Sequence, residues 1–289
     1  MRHFLFPPLS EQRRIVEILD QADALRKKRA EANAKAERIL PALFIKMFGD
    51  PVTNPKGWTL KALGNVVDII GGGTPSKANP SFWNGHIPWV SPKDMRELIL
   101  TDTQDHITAE AVKNSATSLV PRESVLIVFR SGILVHSIPL ALAETELTLN
   151  QDMKALVPKM EEVNSFYLLA WLLTSKQTLP ACVKRGATVH SIDGNKFKSL
   201  PFMLPPRKIQ ECFTGTFQQI LATDASRNSF DEKLNSLFNL LLHRAFSGEL
   251  TAKWREAHMK ELLAEMEEQA KVLNGERLDA QMQGLLFSQ

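Results

Sequence analysis

The stretch "FPPLSEQRRIVEILD", residues 6–20, decides the fold once it is set against "LPPRKIQECF" at 204–213. Each opens on an apolar residue and two prolines and runs on into amphipathic sequence. The offset is 198 residues, and it continues without gaps. Gln12 falls on Gln210, Leu43 on Leu241, Lys46 on Arg244 and Phe48 on Phe246. A segment of about forty residues repeated at long range is one structural unit carried twice.

Each copy reads as one long helix. Proline suits the residues just before a helix or in its first turn, because its missing N–H is not needed there. Ser10 is the expected N-cap. A helix over residues 11–47 would be roughly 55 Å long at a rise of about 1.5 Å per residue. Pro41 predicts a kink or local break near the end of the first copy; Asn239 stands at the matching place in the second. Apolar residues recur at near-heptad spacing: Ile18, Ala22, Leu25, Ala32, Ala36, Ile39 and Leu43 in the first copy. The second has Thr216, Ile220, Thr223, Phe230, Leu234, Leu237 and Leu241, and both stripes carry an arginine at one position, Arg29 and Arg227. Two such stripes predict helices that pack on each other, and the plain reading is a helical hairpin or a coiled-coil dimer.

Residues 51–203 differ in kind. Short β-like runs ("VVDII" 66–70, "IPWV" 87–90, "SVLIVF" 124–129, "MKALV" 153–157) alternate with helical stretches near 107–115 and 165–175. Turn signals punctuate them: "NPKGW", "GGGTPSKANP", "RSG" and "KRGA". The expected fold is therefore α+β, with a mixed α/β domain over 51–203 inserted between helices at 1–50 and 204–250. An acidic tail follows at 251–289, helical around 255–273. Composition is ordinary for a globular chain, with 44% hydrophobic and 23% charged residues and a net charge of +3. Charge is unevenly spread: residues 11–46 hold nine Lys/Arg against six Asp/Glu, and residues 247–289 hold five against eight. Cys182 and Cys212 form no metal-ligand spacing and read as buried thiols of a reducing compartment. No apolar run is long enough for a membrane span, and no signal segment precedes Pro7, so a cytoplasmic location is expected.

Enzymatic readings find little support in the residues. "GGGTPSKA" (71–78) lacks the glycine that a phosphate-binding P-loop places before its lysine; Ser76 stands there. Pro75 and Pro80 also argue against a helix opening at this point. No amino-methyltransferase motif and no nuclease carboxylate cluster is present, and the seven histidines are scattered. The chain is expected to be non-catalytic and to hold no metal.

The order helix–domain–helix, with "PPLSEQRRIVEILD", "GWTLKALGNVVDIIGGGTPS", "IPWVSPKDM", "KRGATVHSI", "LPFMLPP" and "HRAFSGELTAKWR" in sequence, resembles the specificity subunit of type I restriction–modification systems. The resemblance covers most of residues 1–256. It implies a subunit that reads a split DNA target with two recognition domains, spaced by long helices that pack as an antiparallel, coiled-coil-like pair and dock methyltransferase subunits. It also implies contact with the restriction subunit through the complex, and S-adenosylmethionine, ATP and Mg in the partner subunits. Here one recognition domain, 51–203, lies between both spacer helices.

In that context the glycine loop gains a role. Gly72 and Gly73 would let backbone N–H groups approach DNA phosphates, with Thr74, Ser76 and Lys77 as further donors. Other candidate DNA contacts are Ser91, Lys93, Arg130, Ser131, Lys184, Arg185, Thr188, His190, Ser191, Asn195 and Lys196. Arg and Lys suit guanine edges or phosphates, and Asn suits adenine. Two chains associating about a two-fold axis would supply two domains. Alternatively the chain is a fragment of a specificity subunit, either truncated and non-functional or a swappable piece that works with a separately encoded half, "MRHFLF" resembling the last strand of a preceding domain. A protein-binding coiled-coil scaffold and a nucleotide enzyme built on 71–78 are the readings from other classes.

Overall fold

The computed structural model describes residues 7–36, 38–159, 161–175 and 178–271, and the side chains of 224–229 lie outside that description. The expectations for "MRHFLF" and Arg227 therefore fall outside the described residues. Two compact units divide the chain: residues 1–35 with 223–289, and residues 36–222.

The first helical segment is α1 (Leu9–Ala36) followed by α2 (Ile39–Phe48), in place of one helix over 11–47. α1 ends at Ala36 and α2 begins at Ile39, so Pro41 occupies the first turn of α2. There its missing N–H costs no hydrogen bond. Ser10 is not the N-cap; the Pro8 carbonyl already accepts the Gln12 N–H at 2.9 Å.

The inserted region begins with β1 (Thr59–Ala62), α3 (Leu63–Val66), β2 (Val67–Gly71), β3 (Trp83–Val90), β4 (Ile99–Leu100), β5 (His106–Ile107) and α4 (Ala109–Asn114). Next come β6 (Leu119–Val120), β7 (Val125–Val128), β8 (Arg130–Ser131), β9 (Leu140–Ala143), β10 (Leu147–Leu149) and β11 (Met153–Pro158). α5 (Ser165–Thr174), β12 (Val183–Lys184), β13 (His190–Ile192), α6 (Gly194–Lys198) and β14 (Pro201–Leu204) complete it. α7 (Arg207–Ser247) and α8 (Ala252–Ala257) follow, and residues 259–271 are helical.

The core is a five-stranded sheet in the order β2-β11-β7-β9-β4, beside a four-stranded sheet β5-β3-β10-β6. β7 and β9 are buried along their whole length, which explains their unbroken apolar runs, "VLIV" and "LALA". A three-stranded sheet β12-β13-β8 lies at one end, and β1 pairs antiparallel with β14 from Thr59↔Leu204 to Ala62↔Pro201. That last pairing makes the inserted chain enter and leave at one place.

Aromatic packing fixes the same place. Phe44 and Phe48 of α2, Tyr167 of α5 and Phe213 and Phe217 of α7 are all fully buried. Phe48 lies 4.8 Å from the Tyr167 ring and 5.3 Å from Phe213, centroid to centroid. The Tyr167 hydroxyl donates to the Met203 carbonyl at 2.9 Å, and burial pushes its pKa well above the ordinary phenol value. The compact unit consequently runs from Ala36 to Ala222, wider than 51–203, because α2 and the first turns of α7 supply part of its core. The buried face of α2 is Leu40, Phe44 and Phe48. Ile39 is exposed and Leu43 only half-buried, so they do not continue the stripe of α1; the break before α2 resets its phase.

In the other unit α1 packs on the later part of α7. Arg29 pairs with Asp231 at 2.5 Å, Asn33 also donates to Asp231, and Arg26 Nε lies 3.2 Å from Asn235 Oδ1. Numbers rise along α1 as they fall along α7, so the pair is antiparallel, as expected. The contact is polar around Arg29, the arginine that interrupts the apolar stripe. Arg26 sits 4.3 Å over the Phe238 ring and Arg29 5.2 Å over Phe230. Leu25, Phe230 and Leu237 are each more than half exposed, while Ile18, Leu234 and Leu241 are half-buried, as is Ile220 in the domain unit. Such a polar belt fixes register better than it adds stability.

The tail returns to the start of α1. Glu11 is buried and accepts from Thr251 Oγ1 at 2.6 Å and from Arg255 Nε and Nη2 at 2.8 and 2.6 Å. The Ser10 N–H and hydroxyl both go to the Glu265 carboxylate. Burial pushes the Glu11 pKa up, but the Arg255 and Thr251 hydrogen bonds and the Arg255 charge outweigh it, leaving the carboxyl below its ordinary value. The expectation of two buried cysteines holds for Cys182 and not for Cys212, which is exposed on α7.

Sequence repetition does not carry environment with it: Phe48 is fully buried, and its repeat mate Phe246 is 89% exposed. Phe48→Ala is expected to lower unfolding free energy by about 3–5 kcal/mol in denaturant titration. Phe246→Ala should stay within about 0.5 kcal/mol. Because the Glu11 pKa is lowered in the folded chain, its contribution is present at neutral pH and lost as pH falls through that depressed value. Glu11→Gln should raise amide exchange across residues 251–257 at pH 7. Acidification through that depressed value should do the same to the wild type, once intrinsic exchange rates are normalised.

Candidate nucleic-acid interface

Strand register gathers the candidate loops. In the five-stranded sheet Lys154 on β11 lies opposite Gly71 on β2, and Met153 lies opposite Val128 on β7. The end of β2, the start of β11 and the end of β7 thus share one edge of the domain. The chain leaving β2 is the glycine loop, the chain entering β11 is Asn150–Gln151–Asp152, and the chain leaving β7 is Phe129–Arg130–Ser131. The Asp152 carbonyl accepts the N–H groups of Phe129 and Arg130 at 2.8 and 3.1 Å. Thr74 Oγ1 bonds Gln151 Oε1 on the other side. The 150–152 turn therefore ties the glycine loop to the Arg130 strand.

β13 extends this edge. His190 lies opposite Ser131 and Ser191 opposite Arg130, while Lys184 on β12 lies opposite Ser191. β12 and β13 form a hairpin whose loop, 185–189, is wholly exposed. Gly186 keeps that loop tight, since a Cβ there would meet the Val189 carbonyl oxygen at 2.2 Å. Arg130, Lys184, Arg185 and Thr188 are exposed, with Ser131, His190 and Ser191 half-buried beside them. Arg130 and Arg185 make no ion pair among the described residues. Lys184 differs: it pairs with Asp193 at 3.0 Å, and that hydrogen bond, followed by the Lys196 N–H, holds the Asp193 carboxyl below its usual range. Asp193 also N-caps α6 by accepting from the Asn195 and Lys196 N–H groups, leaving those two side chains exposed.

Close approach of the protein's own backbone gives the glycines a reason besides the one expected. A Cβ on Gly72 would lie 1.9 Å from the Asn150 carbonyl oxygen, and one on Gly73 2.6 Å from the backbone of Ala116 and Thr117. The Gly73 N–H donates to the Leu149 carbonyl at 2.8 Å, and its carbonyl accepts from Trp89 Nε1 at 3.0 Å. Gly73 has no N–H left for a phosphate; both glycines permit close approach of the protein's own strands. Thr74, Ser76 and Lys77 remain exposed, with the Ser76 carbonyl held by Trp83 Nε1 at 3.1 Å.

Ser91 and Lys93 are committed elsewhere. Ser91 is buried and its N–H and hydroxyl both donate to Asp94 Oδ2, closing a capping box. Lys93 pairs with Asp105 at 2.8 Å, which raises its pKa. Two features of this edge were missed in the sequence: Gln151, and the exposed apolar residues Ile133, Val135 and Val189. "NQD" between two strands was a turn signal that could have found the first. "GILV" after "RSG" looks like core, and nothing local marks it as surface. No group of three or more potential metal ligands occurs among the described residues, and no described helix is long and apolar enough to cross a membrane.

Residues 55–235 match the type I restriction modification DNA specificity domain. This chain belongs to that family. It is 39% identical over 207 residues, 70% of its length, to the EcoR124I/EcoR124II specificity subunit of Escherichia coli. It is 25% identical over 62% of its length to the MjaIX specificity subunit of Methanocaldococcus jannaschii. The chain spans about half the length of the curated relatives it matches, 49% and 42% in these two cases. A chain from a type I R-M system, solved in a study of complex assembly and conformational transition, superposes with a TM-score of 0.57 over 85% of this chain and 61% of that one, at 25% identity. The HsdS subunit from Thermoanaerobacter tengcongensis shares the fold, at 24% identity and a TM-score of 0.50 over 85% of this chain and 60% of that one.

In duplex-binding titrations, Arg130→Ala and Arg185→Ala are each expected to lower the slope of log K against log salt by about one. Lys93→Ala should leave that slope unchanged.

Proposed function

We propose that the chain is a non-catalytic, DNA-reading specificity subunit whose single described domain recognises one half of a split duplex target. The observation that carries this reading is the edge described above. Arg130 and Arg185, which make no ion pair among the described residues, are exposed there together with Lys77, Lys184 and Lys196, in a member of the specificity family. Phosphate contacts from such cations supply affinity, and side chains between them supply readout.

Methyltransferase subunits dock on the helices, and the restriction subunit joins through them. The partly exposed Leu25, Phe230 and Leu237 of α1 and α7 offer apolar surface for that docking. S-adenosylmethionine, ATP and Mg belong to the partners. Two copies of the chain associate about a two-fold axis, so that two identical domains read an inverted repeat. The presence of both helical regions, repeated at an offset of 198 residues, beside a single described recognition domain supports this, because a two-fold axis pairs the same surface of each chain reciprocally.

Co-expression with the methyltransferase of the same locus, followed by mapping of methylated adenines in host DNA, tests the reading. A split, palindromic motif is expected, together with two copies of this chain per complex by light scattering. An asymmetric motif would replace the two-fold pair with a second specificity chain, and absence of new methylation would overturn DNA reading altogether.

A further inference from the structure

Residues 72–76 belong to neither helix nor strand, so their backbone groups must find partners outside a ladder. Two indoles of one strand supply some of them. Trp89 Nε1 donates to the Gly73 carbonyl at 3.0 Å, and Trp83 Nε1 donates to the Ser76 carbonyl at 3.1 Å. Both tryptophans lie on β3, and their rings meet edge to face at a centroid distance of 5.2 Å. Trp89 is buried and Trp83 half-buried. With Phe82, Ile87, Ile107, Ala111 and Val112 they form a small apolar cluster apart from the main core. The glycine loop therefore rests on a base of its own. Its other ties are the Gly73 N–H to the Leu149 carbonyl, Thr74 to Gln151, and the Asn79 N–H, which also goes to the Ser76 carbonyl at 3.3 Å. Pro75 is buried, while Thr74 and Ser76 on either side of it are exposed, as is Lys77.

Packing alone does not account for tryptophan at these two positions. Phenylalanine or leucine would also fill an apolar cluster, whereas only an indole brings both a large ring and an N–H that needs an acceptor. The two donors grip the loop by its carbonyls, one on each side of Pro75. Neither the Ser76 hydroxyl nor Lys77 Nζ has a partner among the described residues. A hydroxyl donor and a cation on adjacent residues suit a phosphate oxygen. A loop already fixed in shape meets that phosphate without the entropic cost of ordering itself. Resting on the DNA-reading function proposed above, we infer that Trp83 and Trp89 are positioning residues of the DNA-reading edge. Their indole N–H groups hold the loop carbonyls so that Ser76 and Lys77 meet one phosphate of the duplex backbone together.

The test is a double-mutant cycle in the complex assembled with its methyltransferase, on a duplex carrying the mapped methylation motif. Trp89→Phe strips a buried carbonyl of its donor and threatens folding, so Trp83 carries the test. Trp83→Phe keeps an aromatic ring and removes the donor. It is expected to lower affinity about two- to ten-fold, the ordering cost of about one freed side chain. In the wild type, Lys77→Ala is expected to lower the slope of log K against log salt by about one. In Trp83→Phe the same change should alter the slope little, because the freed loop no longer holds Lys77 at its phosphate, and the two losses of affinity should be less than additive. Trp83→β-(3-benzothienyl)alanine keeps the bicyclic ring and lacks only the N–H, and it must behave as Trp83→Phe does. Wild-type behaviour from that variant would assign the effect to packing and overturn the proposal. Additive losses, with the full Lys77 effect on slope retained in Trp83→Phe, would leave the tryptophan merely structural and overturn it too. If Lys77→Ala is neutral in the wild type while base-pair changes in the motif still abolish binding, DNA reading stands and the positioning role is overturned. Failure of the wild type to bind any motif overturns both readings.

Discussion

The packing of Phe48 against Tyr167 and Phe213 is the contact on which the rest depends. It brings a helix from before the inserted domain and a helix from after it onto α5, the central helix of that domain. The β1–β14 ladder repeats the constraint in backbone, joining the strand that enters the domain to the strand that leaves it. An inserted domain whose two ends are free can rotate about its linkers. One whose ends are locked together by buried aromatic rings presents its loops from a fixed base. DNA reading demands that property, because base discrimination is lost when donors and methyl pockets are displaced by an ångström or so.

From that base, strand register delivers the loops. β2, β11 and β7 are antiparallel neighbours, so alternate ends of their connections fall on the same edge. The glycine loop, the 150–152 turn and the Arg130 strand meet there without any long-range motif announcing it. The glycines serve this convergence by letting backbone lie on backbone. The cations are separated by what they already do: Lys93 and Lys184 have carboxylate partners, while Arg130 and Arg185 have none among the described residues. Electrostatic footprint and sequence position are different things, and only the former follows from which charges remain unpaired.

Much of the architecture was legible in the sequence because it rests on periodicity and punctuation. The 198-residue offset located both helical regions, and the runs at 66–70, 87–90, 124–129 and 153–157 each lie within or across a strand. What failed did so for tertiary reasons. α2 follows the apolar face Leu40–Phe44–Phe48, not the stripe of α1, because α5 lies against it. The helix pair meets through Arg26, Arg29, Asn33 and Asp231, a polar belt that a count of leucines cannot reveal. At the interface the residue types were readable but their availability was not. Gly73 and Ser91 look like donors in sequence and are spent on Leu149 and Asp94 in the fold. Val135 and Val189 look like core and face outward.

The central claim is that one edge of this domain meets DNA. Hydrogen exchange of the chain assembled with its methyltransferase, compared with and without a duplex bearing the methylated motif, tests it most directly. The account predicts DNA-dependent protection over residues 73–78, 130–136, 150–152 and 184–196, and little change over α4 at residues 109–114. Protection at α4 with those four segments unchanged would contradict it.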